Sequence, residues 1–229
     1  NRCRARHRTK MEELFLYWGG DERGSDFQGP REDFPVSIPV GSHGLHATGV
    51  AYAFKLRGEK RAAVCMHGDG ATSKGDFYEA LNFAGVWQAP AVFVIANNGW
   101  AISVPTENQT RAATIAQKGF AAGIDCWQVD GNDAIAVHDV VGRALEKARD
   151  GGGPALVEAL TYRLTDHTTA DDAGRYPDDA EVSDRWQKDP VPRLRNFLVN
   201  AGAWNKPQEE KLLEEINTAV EASVNAYEA

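Results

Sequence analysis

The fold this sequence predicts is an α/β domain with a mostly parallel sheet, helices on both faces and a helical C-terminal extension. Three observations predict it. Short apolar runs alternate with amphipathic helical segments between Gly44 and Tyr162, the pattern of strands joined by crossover helices. The run Ala91 to Ala96 is apolar throughout, as a strand covered on both faces is. The polar loops Gly68 to Gly75, Asn97 to Pro105 and Arg163 to Asp179 each follow a strand-like run, where ligands bind in such sheets.

In chain order, Met11 to Trp18 supports a helical turn or two, ended by Gly19-Gly20. Asp21 to Pro39 carries Gly, Pro and charge and reads as an ordered loop or interface arm. A loop this long is better accommodated under a second chain than on an isolated domain. The abrupt start, without a first element, leads us to expect further sequence upstream. Gly44 to Leu56 reads as a helix in which Ala47, Gly49, Ala51 and Ala53 permit close packing. Arg61 to His67 is a short strand. Asp76 to Gln88 is a helix whose apolar surface comes from Phe77, Leu81, Ala84 and Trp87, and Pro90 stops it. Ala91 to Ala96 is a strand, Thr114 to Ala122 helical, Cys126 to Val129 a strand and Asp133 to Arg149 a long amphipathic helix. Gly151-Gly152-Gly153-Pro154 turns the chain into the strand Ala155 to Tyr162. From Glu181 the chain is helical again, with Pro190 and Pro192 between segments and a last helix from about Pro207 to Tyr227. We therefore divide the chain into an N-terminal segment and interface loop, residues 1–40, a ligand-binding α/β domain, residues 41–180, and a helical extension, residues 181–229.

Composition narrows the function. A chain of 229 residues can bury a sizeable core. Its formal charge of -8 and pI near 5.3 argue against broad nucleic-acid affinity. It holds no run of about 18 apolar residues, so no membrane span is expected. The basic start, Arg2 to Lys10, lacks the apolar stretch of a signal peptide. The three cysteines, Cys3, Cys65 and Cys126, have no metal-ligand spacing. The latter two lie in apolar runs and read as buried thiols, in keeping with a reducing compartment.

The chemistry resides in the three loops. Gly68 and Gly70 flank Asp69 and let the backbone approach a ligand closely. Asp69 is a hard oxygen donor for magnesium or calcium; a strand-to-helix turn capped by Asp69 is the other reading. Asn97-Asn98 closes the apolar strand, where Asn alone is an ordinary turn residue. With Asp69 one helix and one strand earlier, a shared metal-diphosphate site becomes the better account, to which Trp100 would add a main-chain carbonyl. In the third loop His167, set among hydroxyls and acids, suits proton transfer or anion binding, with a hydrogen-bonded structural histidine as the alternative. Asp171, Asp172, Arg175 and Tyr176 are candidates to hold that loop.

Two motifs carry a resemblance. The run from Gly68-Asp69-Gly70-Ala71-Thr72-Ser73 to Ala84, closed by Asn97-Asn98-Gly99-Trp100-Ala101-Ile102-Ser103, is similar to the thiamine diphosphate motif. With the His167-Thr168-Thr169-Ala170-Asp171-Asp172 run, it resembles the alpha subunit of the thiamine diphosphate-dependent E1 component of 2-oxo acid dehydrogenase complexes, most closely the pyruvate-type members, from about Met11 to the end. The sequence departs from that family's pattern in the turn Gly41-Ser42-His43-Gly44-Leu45-His46 and at Pro177. The resemblance implies a thiamine diphosphate-binding fold with thiamine diphosphate and Mg2+ as cofactors. Asp69, Asn98 and the Trp100 carbonyl would ligate the metal, and Gly68, Gly70 and Ala71 would line the diphosphate. Val40 would lie beside the aminopyrimidine, with Ile38 as its backbone partner, and His167 would contact diphosphate or substrate in catalysis. The implied reaction is oxidative decarboxylation of pyruvate, with transfer of the acetyl unit to the lipoyl group of an acyltransferase component.

The implied partners are an E1 beta subunit, in an alpha2-beta2 heterotetramer and supplying the glutamate that activates the cofactor, and the lipoyl-bearing acyltransferase; nucleic acid and membrane are not expected. The expected compartment is the bacterial cytoplasm, with the mitochondrial matrix as the alternative. A branched-chain 2-oxo acid dehydrogenase alpha subunit and a non-catalytic assembly subunit are the competing readings. A dinucleotide oxidoreductase is disfavoured, because no Gly-x-Gly-x-x-Gly opens a helix after a strand.

Overall fold

The structure is a computed structural model that describes residues 10–26, 28, 34, 38–177 and 179–228. The chain divides into two compact units, one of Asn1–Ile38 with Phe197–Ala229, the other Pro39–Asn196.

In the larger unit, helix α2 (Ser42–Leu56) leads to β1 (Ala63–Gly68), a 3-10 turn at Gly70–Ser73, α3 (Gly75–Trp87) and β2 (Ala91–Asn97). A two-stranded hairpin follows, β3 (Trp100–Ala101) and β4 (Val104–Pro105), then α4 (Gln117–Phe120), β5 (Asp125–Asp130), α5 (Ala134–Arg149) and β6 (Ala155–Leu160). Helices α6 (Asp179–Trp186) and α7 (Pro190–Asn200) come next, α7 running across the division between the units. The main sheet is β1-β2-β6-β5, parallel at each pairing. Register places Gly68 opposite Ala96 and Asn97 opposite Leu160, so all three loops leave from the carboxyl ends of neighbouring strands.

Side-chain parity assigns the two faces. Phe93, Ile95, Cys65 and Leu156 pack with Phe77, Leu81 and Ala84 of α3 and Ala47, Ala51 and Phe54 of α2. Val92, Val94, Val129 and Val157 pack with Ala144 and Ala148 of α5. Helices on both faces are why β2 is apolar at consecutive positions, and each large side chain fully buried there contributes about 1.5–3 kcal/mol. Edge strand β1 has one covered face: Ala63, Cys65 and His67 point inward, while Val64 and Met66 are exposed. Gly85 lets α3 approach the turn that follows Gln117–Phe120, since a Cβ there would lie 2.1 Å from the Ala122 carbonyl oxygen.

In the smaller unit, α1 (Met11–Trp18) packs on α8 (Lys206–Glu228), with Phe15 edge-on to Tyr227 at 5.9 Å. Buried Glu13 accepts from the amides of Lys10 and Gln28, each at 2.8 Å. Of the expected loop Asp21 to Pro39, Glu22–Ser25 forms a 3-10 turn capped by Asp21; residues 27, 29–33 and 35–37 lie outside the described residues, as does Cys3.

Local expectations need correcting. The expected helix Thr114 to Ala122 contracts to Gln117–Phe120, because the amides of Gln117, Lys118, Gly119 and Ala122 bond three residues back, to the carbonyls of Thr114, Ile115, Ala116 and Gly119, which winds the flanks as tighter turns. Pro190 does not separate helices but opens α7, where its missing N–H costs nothing. The β3–β4 hairpin was not anticipated; its strands have two residues each, too short for a period. Cys126 is half-buried rather than buried. Burial pushes its thiol up to about 11 and that of Cys65 up to about 12, so neither is a thiolate near neutral pH.

Candidate active site

The first loop begins where β1 ends. Asp69 is 2 % exposed, and its carboxylate makes no capping hydrogen bond to the 3-10 turn that follows, which removes the turn-cap reading. Instead Asp69 Oδ2 accepts from Gln109 Nε2 at 2.9 Å and Thr106 Oγ1 at 3.2 Å. Its carbonyl accepts from the Thr72 hydroxyl at 2.7 Å and the Thr72 amide at 3.0 Å. Gly70 abuts the second loop; a Cβ there would lie 2.7 Å from the Ala101 Cβ, so the two loops meet only because this residue has none. Ala71 is buried beside it.

The second loop starts with the asparagine pair. Asn97 Nδ2 donates to Glu158 Oε1 at 2.8 Å, while Asn97 Oδ1 accepts from the Gly99 amide at 3.1 Å. Asn98 Oδ1 accepts from the Trp100 amide at 3.0 Å, the side-chain turn that Asn favours. Thr106 closes the loop, its amide on the Gly99 carbonyl at 3.0 Å and its hydroxyl between Asp69 and Asn97. The loop contains Ile102 at φ +56°, a strained conformation for a β-branched residue.

Arg163 holds the third loop to the second. Its Nη1 donates to the Trp100 carbonyl at 3.2 Å and its Nη2 to the Ile102 carbonyl and the Tyr176 hydroxyl, each at 2.6 Å. Tyr176 Oη donates to Asp171 Oδ2 at 2.5 Å, and the same oxygen accepts from the His167 amide at 2.7 Å. The Tyr176 hydroxyl and the His167 amide hold the Asp171 carboxyl below the usual carboxylate range. Burial and that hydrogen bond push the Tyr176 phenol up. The Trp100 ring packs on Tyr176 at 5.2 Å. A cleft of about 640 Å3 opens here, lined by Asn97, Trp100, Thr106, Tyr162, Tyr176 and Arg185 among others.

The structure thus brings Asp69, Asn98 and Trp100 into one loop cluster at the sheet's carboxyl edge. His167 is exposed in the third loop and anchored by its main chain. Val40, 58 % exposed, lies just ahead of α2, and Ile38 is 71 % exposed. Near Val40 the turn places His43 face to face with buried His67, ring centroids 4.1 Å apart, with His43 Nε2 2.6 Å from the Met66 carbonyl. Burial and then His43 push the His67 imidazole down to about 4.

Sequence reasoning missed Thr106, Gln109, Glu158 and the pivotal place of Arg163. Glu158 had a signal: it is the one acid in the apolar run Ala155–Leu160. It is fully buried and also accepts from Gln128 Nε2 at 3.1 Å. Thr106 and Gln109 carried no such signal.

A parallel α/β sheet whose carboxyl-edge loops gather a buried carboxylate, a turn carboxamide and a glycine that lets two loops meet defines a ligand-binding domain of the doubly wound class. The chain matches the family model described as the dehydrogenase E1 component over residues 4–229, and it belongs to that family. It is 43% identical over 208 residues to the pyruvate dehydrogenase E1 component subunit alpha of Acholeplasma laidlawii, covering 90% of this chain and 60% of that one. To the proteins of the same name from Staphylococcus aureus and Bacillus subtilis it is 42% and 41% identical, covering 95% and 97% of this chain and 59% and 60% of theirs. The chain therefore spans about 60% of the length of these curated relatives. Among the described residues no helix is long and apolar enough to cross a membrane.

Proposed function

We propose that this chain is a pyruvate dehydrogenase E1 alpha-type subunit, acting with thiamine diphosphate and Mg2+. The observation that carries the reading is Asp69: a carboxylate buried at the sheet's carboxyl edge, without an ion-pair partner among the described residues, beside a turn that presents a carboxamide and a main-chain carbonyl. Group by group the donors fit. Carboxylate, carboxamide and carbonyl are hard oxygens suited to magnesium. Asp69 Oδ2 already accepts two hydrogen bonds, so Oδ1 is the oxygen that would face a metal, while the Trp100 carbonyl, which accepts from Arg163, has a second lone pair.

Asp69, Asn98 and the Trp100 carbonyl would hold the metal, and Gly68, Gly70 and Ala71 would lie against the diphosphate. Val40 and Ile38 would flank the aminopyrimidine. When bound, thiamine diphosphate supplies the electron sink for decarboxylation of a 2-oxo acid, with Mg2+ offsetting the diphosphate charge. The chain's own part is to place and polarise. Gln109 and Thr106 orient the Asp69 carboxylate. Glu158 orients Asn97 and so the turn that carries Asn98. Arg163 couples the Trp100 carbonyl to the His167 loop, and the His167 imidazole would hold or deliver a proton at the substrate oxygen. Pyruvate is the proposed substrate, in line with the names of the relatives. An E1 beta subunit in an alpha2-beta2 assembly and a lipoyl-bearing acyltransferase are the proposed partners, and the bacterial cytoplasm the proposed compartment.

The test is titration of thiamine diphosphate with magnesium into the chain co-expressed with its beta subunit, followed by a turnover assay comparing pyruvate with branched-chain 2-oxo acids. Saturable, magnesium-dependent binding that Asp69→Ala abolishes is the expected result. Tight binding retained by Asp69→Ala would sink the metal assignment.

A further inference from the structure

Lys118, in the short helix α4, is 6 % exposed. Its ammonium donates to the Thr72 carbonyl at 2.9 Å and the Thr72 hydroxyl at 3.0 Å. It also lies 5.4 Å from the centre of the Tyr78 ring. Among the described residues no carboxylate lies within ion-pair distance of it. A buried, unpaired ammonium is costly unless the site uses the charge. Thr72, 1 % exposed, passes the contact on, its hydroxyl donating to the Asp69 carbonyl at 2.7 Å. Two buried charges of opposite sign thus share one turn, Asp69 at its start and Lys118 held on its third residue after that, and neither has an ion-pair partner among the described residues.

We propose that Lys118 is a positioning residue: held on Thr72, it fixes the Asp69 turn and supplies a positive charge behind it for an anionic, diphosphate-bearing ligand. The ligand half rests on the cofactor reading above. Lys118 acts through Thr72, so removing its charge and removing the hydroxyl relay have separable consequences. Charge removal weakens ligand binding. Relay removal loosens the turn but leaves the charge in place.

The experiment uses the full chain with its beta subunit and two readouts. One is amide hydrogen exchange of the ligand-free protein at Thr72 and Lys74, whose amides bond to the Asp69 and Ala71 carbonyls. The other is the Kd of thiamine diphosphate at saturating magnesium. Lys118→Met is expected to speed exchange at both amides about tenfold and to raise Kd about tenfold, the size of one lost charge-assisted hydrogen bond. Thr72→Val is expected to speed exchange while changing Kd less than about threefold, because the ammonium remains. Lys118→Gln keeps a donor without the charge. It is expected to hold the turn and raise Kd; if Lys118→Met does not fold, Lys118→Gln carries the Kd readout and Thr72→Val the exchange readout, where exchange equal to wild type overturns the positioning role. Exchange in Lys118→Met equal to wild type overturns the positioning role. A Kd within about twofold of wild type in both Lys118 variants overturns the charge role. If the wild-type complex does not bind thiamine diphosphate, the cofactor reading fails and exchange alone decides whether Lys118 positions the turn.

Discussion

The side-chain amide of Gln109 donates to the buried carboxylate of Asp69 at 2.9 Å across forty positions of sequence. Thr106 bonds the same oxygen. The carboxylate is thus aimed by the second loop before any ligand arrives, and its charge is left without an ion-pair partner among the described residues. A site of this kind holds stability in reserve for its ligand. Replacing Asp69 with Asn keeps an acceptor for Gln109 and removes the charge. The ligand-free protein should become more stable by about 1 kcal/mol and lose its stabilisation by magnesium and thiamine diphosphate. Urea denaturation with and without both ligands reads the two effects together. A variant less stable than wild type without ligands would contradict this.

Glu158 receives hydrogen bonds from Asn97, the Ala116 amide and Gln128 while fully buried. Glu158→Ala strands three donors, each of which costs about 1–3 kcal/mol when left unsatisfied. We expect a loss of about 3 kcal/mol or more, with Glu158→Gln milder because one oxygen still accepts. Chemical denaturation measures the difference. Equal stability of the alanine variant and wild type would mean that water replaces the carboxylate.

The pH dependence of stability should carry the mark of His67. Burial and the neighbouring His43 hold its folded pKa at about 4, against 6.5 for an ordinary imidazole. Between these values the unfolded chain binds the proton and the folded chain does not. The contribution is therefore fully present above pH 6.5 and lost as pH falls towards 4, on the order of 3 kcal/mol across the whole window. His67→Phe should flatten the wild-type loss between about pH 7.5 and about pH 4.5. Parallel pH profiles for the two proteins would show that the ring is protonated in place.

Arg163 ties the Trp100 and Ile102 carbonyls to Tyr176, with Asp171 beyond. Arg163→Met should release the loop around His167 without unfolding the sheet. Exchange and protease cleavage between residues 163 and 177 should rise, while global stability changes by less than about 1 kcal/mol. In the assembled complex kcat should fall more than thiamine diphosphate affinity. Unchanged protease resistance in that loop would assign its order to other contacts.

The sequence by itself determined the alternation of strands and helices, because periodicity and burial on two faces are written in local order: the unbroken apolar run Ala91–Ala96 is typical of a doubly covered strand, and Gly68-Asp69-Gly70 with Asn97-Asn98 marked the carboxyl edge. It also carried the family resemblance that the comparisons bear out. The tertiary structure alone decided which side chains hold those loops. Gln109 on Asp69, Glu158 under Asn97, Arg163 on the Trp100 carbonyl and Lys118 beneath Thr72 join residues from 40 to 63 positions apart. Such hydrogen bonds have no sequence period, because partners are chosen by sheet register and loop closure. The start of the short helix at Gln117 shows the same dependence: the Ala116 amide just ahead of it is satisfied by the buried Glu158 carboxylate, 42 positions away.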